Sequence, residues 1–296
     1  MSVLFCCLWF FLFVGLSCQT KSEEEFRFLF VTDLHMHPGE DSVSRMKGAV
    51  EQINSLNPKP DFMIMGGDLI ENMYVRDYKS AVGLYDLYDE ICARLNIPVY
   101  SVLGNNDLVP VFEGSPAGVS QVMDGKDMFR DRVGDGATYR SFDHKGWHFV
   151  LLDSIERSED GNYRGYIDKD QVRWLFEDLE NLEERAPVCV ALHIPLATIT
   201  AQTHIDSMNA LLPYYIVNNG TEVIKLLSNY YVRLVLQGHH HIVEELKFMN
   251  TTYITGGSIS HARKYKNFVH HEGFVIVDVT GPEFNWNYYP LADRTH

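Results

Sequence analysis

The 296-residue chain predicts an α/β fold in which two β-sheets are flanked by helices, and three observations carry that expectation. Short apolar runs rich in β-branched and aromatic residues alternate with segments whose apolar residues recur at helical spacing. Five of the runs end abruptly in Asp, Asn or His, the pattern of buried strands that deliver polar side chains at their tips. Near the C-terminus, Tyr253 to Thr255, Phe274 to Val279 and Glu283 to Tyr289 read as antiparallel strands completing a second sheet.

The N-terminus stands apart from this pattern. Val3 to Ser17 is an apolar run of about 15 residues, short of the roughly 20 that span a membrane, with small residues before Cys18. It reads as a signal peptide. Gly15-Leu16-Ser17-Cys18 resembles a bacterial lipobox, in which the cysteine is lipidated and becomes the mature N-terminus, and the acidic run behind it resembles an outer-membrane export signal. Ordinary cleaved secretion and a retained anchor are the alternatives. The expected division is a leader over residues 1–18, an acidic linker over 19–25 and one domain over 26–296. The product is then a lipoprotein of the cell envelope, periplasmic or at the surface, or a secreted protein, touching the membrane only through its lipid.

Within the domain, Phe26 to His37 (FRFLFVTDLHMH) is a strand followed by its tip. Asp33 and His35 are two apart, so in a chain that stays extended past the strand both side chains leave on one face. Val43, Met46, Val50 and Ile53 predict a helix over Ser42 to Leu56, which Pro58 and Pro60 end. Phe62 to Met65 is a second strand and runs into Gly66-Gly67-Asp68. A helical segment over Asp77 to Leu95 leads to a third, Val99 to Leu103, which stops at Gly104-Asn105-Asn106-Asp107. Leu108 to Thr138, rich in Gly, Pro and Asp, reads as a long loop, either functional or a solvated excursion. Tyr139 to Phe142 and Trp147 to Asp153 form a hairpin turning at His144-Lys145-Gly146, and Asp168 caps a helix whose apolar face is Val172, Leu175, Leu179 and Leu182. Val188 to Leu192 ends at His193, and Val232 to Gln237 ends at Gly238-His239-His240-His241. Ligand sites of open α/β sheets lie beyond the carboxyl ends of the strands, so the five tips can converge despite their separation in sequence.

Composition sets outer bounds. A formal charge of −15 with no basic stripe excludes a general electrostatic footprint for nucleic-acid polymers. A small phosphate ester stays compatible, because bound metal ions reverse the local sign where the substrate sits. Of the five cysteines, Cys6, Cys7 and Cys18 belong to the leader, leaving Cys92 in a helical pattern and Cys189 in an apolar strand; both are expected as buried free thiols. Asn219-Gly220-Thr221 and Asn250-Thr251-Thr252 match glycosylation sequons, a pattern that arises often by chance.

Taken in order, Asp33-Leu34-His35, Gly67-Asp68, Gly104-Asn105-Asn106-Asp107, His193 and Gly238-His239-His240-His241 resemble the ordered signatures of the calcineurin-like metallophosphoesterases. Each signature alone is weak; all five, each after an apolar strand and spread over nearly the whole domain, are highly specific. The resemblance implies a four-layer α/β sandwich of two mixed sheets flanked by helices, holding two metal ions. It implies that Asp33, His35, Asp68 and His241 bind one ion, and that Asp68, Asn105, His193 and His239 bind the other, with Asp68 as the bridge. Purple acid phosphatases, which share this plan, place a tyrosine three residues after the bridging Asp, where Glu71 stands here, so an Fe(III)–tyrosinate centre is not expected. The segments Tyr139 to Asp143, Val150 to Asp153 and Gln171 to Leu175 resemble, more loosely, the class III cyclic-nucleotide phosphodiesterase and acid-sphingomyelinase-like branch.

The chemistry stands beside the name. Two divalent ions about 3.5–4 Å apart bind phosphate oxygens and lower the pKa of a bridging water. A carboxylate can span such a pair, and imidazole, carboxylate and amide ligands suit Mn, Zn or Fe without choosing among them. Asn106 is a departure: most of the family has histidine there, paired with the acidic residue that follows, and asparagine donates a hydrogen bond but delivers no proton. Asn106 and Asp107 are therefore candidates at the reacting centre, and His37 is expected to face the substrate pocket and fill the proton-donor role; His240, His204 and His261 are read as supporting or surface residues. Arg263 and Lys264 could hold phosphate or be solvated. The expected function is an exported phosphoesterase that hydrolyses small phosphodiesters or phosphomonoesters by attack of metal-bound hydroxide. The alternatives are an envelope pyrophosphohydrolase or lipid-headgroup phosphodiesterase, and a metal- or phosphate-binding lipoprotein that Asn106 leaves with little or no turnover.

Overall fold

The first strand shows how the sandwich is layered. In β1 (Glu25–Val31), Phe26, Phe28 and Phe30 enter one buried cluster while Leu29 and Val31 enter another, so the period of two splits one strand between two cores. The computed structural model describes residues 24–109, 125–158, 162–182, 185–200, 213–261, 263–265 and 268–292. The leader with Cys18, the linker up to residue 23, and His204 therefore lie outside the described residues.

Two sheets face each other across the aromatic cluster. The five-stranded sheet has the order β15-β14-β1-β2-β3, with β2 (Phe62–Met65), β3 (Val99–Ser101), β14 (Gly273–Thr280) and β15 (Glu283–Pro290). The six-stranded sheet runs β10-β11-β9-β8-β5-β4, from β4 (Arg140–His144), β5 (Trp147–Leu151), β8 (Val188–Ala191), β9 (Val232–Gln237), β10 (Glu244–Phe248) and β11 (Thr251–Thr255). Both are mixed: β1, β2 and β3 are parallel, as are β5, β8, β9 and β11, while β4, β10, β14 and β15 pair antiparallel. Between the sheets Phe28 stacks on Phe62 at 5.2 Å and meets Phe149 edge-on at 5.3 Å. Each such ring, fully buried, contributes roughly 1.5–3 kcal/mol.

Helices cover the outer faces. α1 (Glu40–Asn54) and α2 (Tyr78–Cys92) lay Met46, Val50, Ile53, Leu84, Tyr85 and Ile91 on the far side of β1 and β2. α2 starts in a capping box in which Asp77 accepts from the Ser80 amide and Ser80 from the Asp77 amide. On the other sheet, α4 (Lys169–Glu180) is capped by Asp168 as expected, and α5 (Gly220–Leu227) buries Val223 and Leu227. His148 on β5 ties layers together, bonding Asp143 of β4 at 2.7 Å and Asp178 of α4 at 2.9 Å. Within the stretch expected as one long loop, α3 (Asp127–Arg132) buries Met128 and Phe129; residues 110–124 lie outside the described set.

One expectation about the sheets is corrected. Of the three C-terminal runs only Tyr253 to Thr255 joins the second sheet; β14 and β15 return to the first, with Glu25 opposite Thr280 and Phe30 opposite Val275. The free edge of β1 needs a partner with apolar residues on both faces, and β14 supplies it, sending Val275, Val277 and Val279 inward between the sheets and Phe274 and Ile276 outward. Cys189 sits between the sheets and Cys92 on α2; both thiols are free, and burial pushes each thiol's pKa up. Among the described residues, no helix is long and apolar enough to cross a membrane.

Candidate metal centre

The strand tips turn sharply rather than running on. Asp33, His35, Asp68, His239 and His241 all have left-handed backbone, with φ of 58°, 46°, 52°, 72° and 57°. Outside glycine this conformation is uncommon and costs about 1–3 kcal/mol per residue, and such strain collects at functional sites. The extended path expected for Asp33 and His35 is thus replaced by two turns. The loop after β1 instead lies along the loop after β2, with Asp33 N–H donating to Gly67 O at 3.1 Å and His35 N–H to Asp68 O at 2.9 Å. The loop after β3 presses equally close: a Cβ on Gly104 would stand 2.0 Å from the Asp68 nitrogen, so only glycine fits.

These turns gather six of the seven predicted ligands into two largely buried groups, with Asn105 beside the second. Asp33, His35 and His241 form one, with His35 Nε2 and His241 Nε2 3.0 Å apart and His241 Nε2 3.1 Å from Asp33 Oδ1. Asp68, His193 and His239 form the other, and His193 Nε2 lies 3.3 Å from Asp68 Oδ1 and 3.2 Å from Asn105 Oδ1. Asp68 stands between them: while Oδ1 faces His193, Oδ2 is 3.6 Å from His35 Nε2.

The donor set fits metal ions. Nε2 of His239 is buried with no hydrogen-bond partner among the described residues, as a ligand nitrogen would be before binding. Burial disfavours charge on Asp33 and Asp68, yet His241 beside the first and His193 beside the second hold both well below the ordinary carboxylate range. Burial likewise disfavours charge on His193, but Asp68 brings its pKa up to about 9, whereas burial beside His193 and His240 lowers that of His239. Two buried carboxylates therefore require buried positive charge, which protons on imidazole supply and divalent cations can replace.

Outer contacts aim these rings. The Gly66 carbonyl can only accept, so His193 donates Nδ1–H to it at 2.8 Å and keeps Nε2 for the centre. His35 Nδ1 pairs with Glu71 Oε2 at 3.1 Å. Ser258 and Ser260 each donate a hydroxyl to Asp33 O, at 2.7 and 3.1 Å. Glu71 entered the sequence reasoning only as the residue that is not tyrosine, and no spacing signal marks either serine.

The remaining candidates take different places. Asn106 grips Asp68 twice, its backbone N–H on Oδ1 and its side-chain amide on Oδ2, both at 2.8 Å. Asp107 is fully buried and holds the loops together, accepting from Leu69, Ile70 and Gly104 amides, while burial and then Asp68 raise its pKa to about 7. The ring of His37 is not brought into either group: it stacks on Tyr74 at 4.8 Å, and Nδ1 accepts from the Gly39 amide at 3.1 Å. His240 turns to the Tyr215 carbonyl, 2.9 Å from Nε2. His261 lies beside the first group, its ring 5.0 Å from that of His35 and 5.9 Å from that of His241. Arg263 and Lys264 fall in β12 (Arg263–Tyr265), which pairs with β13 (Phe268–His270).

A family model described as calcineurin-like phosphoesterase matches residues 26–243. The chain is 25% identical over 211 residues to a probable glycerophosphodiester phosphodiesterase GpdQ of Arcobacter nitrofigilis, covering 71% of this chain and 67% of that one. It is 28% identical over 260 residues to the human serine/threonine-protein phosphatase CPPED1, covering 86% and 75%. A dimetal phosphatase from Danio rerio is similar in structure, with a TM-score of 0.59 at 16% identity, over 90% of this chain and 99% of that one; at such identity the likeness is one of fold.

Proposed function

Because the chain belongs to the calcineurin-like phosphoesterase family and is accordingly a metal-dependent phosphoester hydrolase, we propose that its substrates are small phosphodiesters. The observation that carries the catalytic reading is Asp68, one carboxylate with an oxygen toward each of two buried donor groups. Asp33, His35 and His241 with Asp68 would hold one ion, and Asp68, Asn105, His193 and His239 the other. When bound, the ions supply Lewis-acid charge to phosphoryl oxygens and lower the pKa of water toward neutrality.

The chain's own residues then orient and select. Asn106 keeps both Asp68 oxygens aligned between the groups. As an amide it delivers no proton, so the reading favours esters whose alcohol leaves readily. Side chains beside the groups, such as Asn106, Tyr163 and Tyr215, carry no fixed charge, and Arg45, on the His261 side, is paired with Glu272 at 3.1 Å. The uncharged side made by Tyr163 and Tyr215 suits a monoanionic diester better than a dianionic monoester, whose second charge calls for another cation. The names of the two relatives divide between a diester and a phosphoprotein substrate; asparagine in place of histidine at position 106 favours the former.

The test is turnover by protein loaded with Mn, Zn or Fe on bis(4-nitrophenyl) phosphate, 4-nitrophenyl phosphate, cyclic nucleotides and pyrophosphates. A kcat/KM for the diester at least tenfold above the monoester is expected. Preference for the monoester or a pyrophosphate would sink the diester reading. The leader-like residues 1–18 support export with lipidation at Cys18, for which the check is the intact mass of the protein from envelope fractions. A mass matching an unmodified N-terminus would remove the lipid.

A further inference from the structure

Tyrosines crowd one side of the centre. Tyr163, on β7 (Tyr163–Gly165), which pairs with β6 (Ile155–Arg157), lies with its ring 6.2 Å from and perpendicular to that of His239. Tyr215 approaches the same imidazole at 5.6 Å, and Tyr214 meets Tyr163 edge-to-face at 5.5 Å. All three are half-buried, and none of their hydroxyls bonds another described residue. Two core tyrosines behave otherwise: Tyr85 donates to Asp107 O and Tyr88 bonds Ser101.

The wall is built, since two chain segments are stitched together to make it. Asn218 donates both its backbone N–H, at 2.8 Å, and its side-chain amide, at 2.7 Å, to Gly165 O. A Cβ on Gly165 would stand 2.6 Å from Ile216 O, so glycine lets the segments touch. His240 adds a third tie at the Tyr215 carbonyl, which couples the wall to the same loop that carries His239 and His241. This also gives His240 a task that the metal reading leaves unexplained.

We propose that Tyr163, Tyr214 and Tyr215 form the subsite for the organic group of the ester, and that this group carries a flat aromatic ring. The proposal rests on the diester reading and specifies its substrate. Tyrosine offers rigid, amphipathic contact area at small entropic cost, and rings in edge-to-face array leave edges and faces on which another ring packs. The position against His239 puts that ring beside the group of Asp68, His193 and His239.

The experiment compares equilibrium binding of phenylphosphonate and methylphosphonate, by calorimetry, to metal-loaded protein. Neither probe is hydrolysed, so the result is independent of turnover. Wild type is expected to bind phenylphosphonate about tenfold tighter than methylphosphonate. Tyr163→Ala and Tyr214→Ala are expected to reduce that ratio to about threefold or less, and Tyr163→Phe to keep it, with metal content and far-UV circular dichroism measured on each. No phenyl preference in wild type overturns the proposal, whatever the variants do. An unchanged ratio in the folded alanine variants overturns it too. If the phenyl preference holds but no ester is hydrolysed, the diester reading fails while the subsite stands.

Discussion

The two donor groups hold their histidines in different ways. In the group of Asp68, His193 and His239, the ring of His193 is fixed by a main-chain carbonyl, which no substitution of a neighbouring side chain removes. In the group of Asp33, His35 and His241, His35 Nδ1 has Glu71 Oε2 at 3.1 Å, a side-chain partner that one mutation deletes. Tyr163 and Tyr215 lie against His239 of the Asp68 group, whereas His261 lies against His35 of the Asp33 group. The difference teaches that the two ions need not be bound alike: the Glu71 side should be the weaker and the more tunable.

Breaking the link between the groups has the largest expected effect. Asp68→Asn should lower kcat/KM on the diester on the order of 10³-fold and reduce metal content measured by plasma emission below two ions per chain, since both groups lose a carboxylate. A variant with full activity would remove Asp68 from the centre. Next comes Glu71→Gln, for which metal titration should show one site weakened by about 10–100-fold and the other unmoved. Equal weakening of both sites would erase the asymmetry.

A control lies away from the centre, where His148 meets Asp178 and Asp143 as His35 meets Glu71, but with no metal ligand among the three. Burial disfavours the charged ring, and the hydrogen bonds that it donates to Asp178 and Asp143 outweigh it, so the pKa is raised. A raised pKa in the folded state means the pair stabilises fully below the unfolded value of about 6.5 and loses that contribution as pH rises through the folded value. The difference in unfolding free energy between wild type and His148→Gln should therefore shrink from pH 6 to pH 9. It should stay within about 1 kcal/mol, because Asp143 is largely exposed. A difference that grows with pH would reverse the assignment. The smallest effect is expected from His37→Ala, less than about twofold in kcat, because the ring is occupied by Tyr74 and Gly39. A tenfold loss would return His37 to the pocket.

The features legible in the sequence are local ones. An apolar run stopping at Asp33 or at His193 needs only neighbours in the chain to be read, and so do the caps at Asp77 and Asp168. What escaped depends on distance. The pairing of Glu25 with Thr280 is set by which apolar edge is free, not by any pattern in either strand. The left-handed turns at Asp33, His35, His239 and His241 carry no glycine to announce them; they are imposed by loops packed on one another. The roles of Glu71, Ser258 and Tyr163 likewise exist only once separate loops meet.

The seat of β14 beside β1 has a consequence in time. The strand that leads to Asp33 and His35 leaves the ribosome long before its neighbour, which spans Gly273–Thr280. Until those last residues emerge, the edge of β1 stays unpaired and its inward phenylalanines lack Val275, Val277 and Val279. A chain cut before Gly273 therefore carries Asp33 and His35 beyond a strand whose β14 edge is bare.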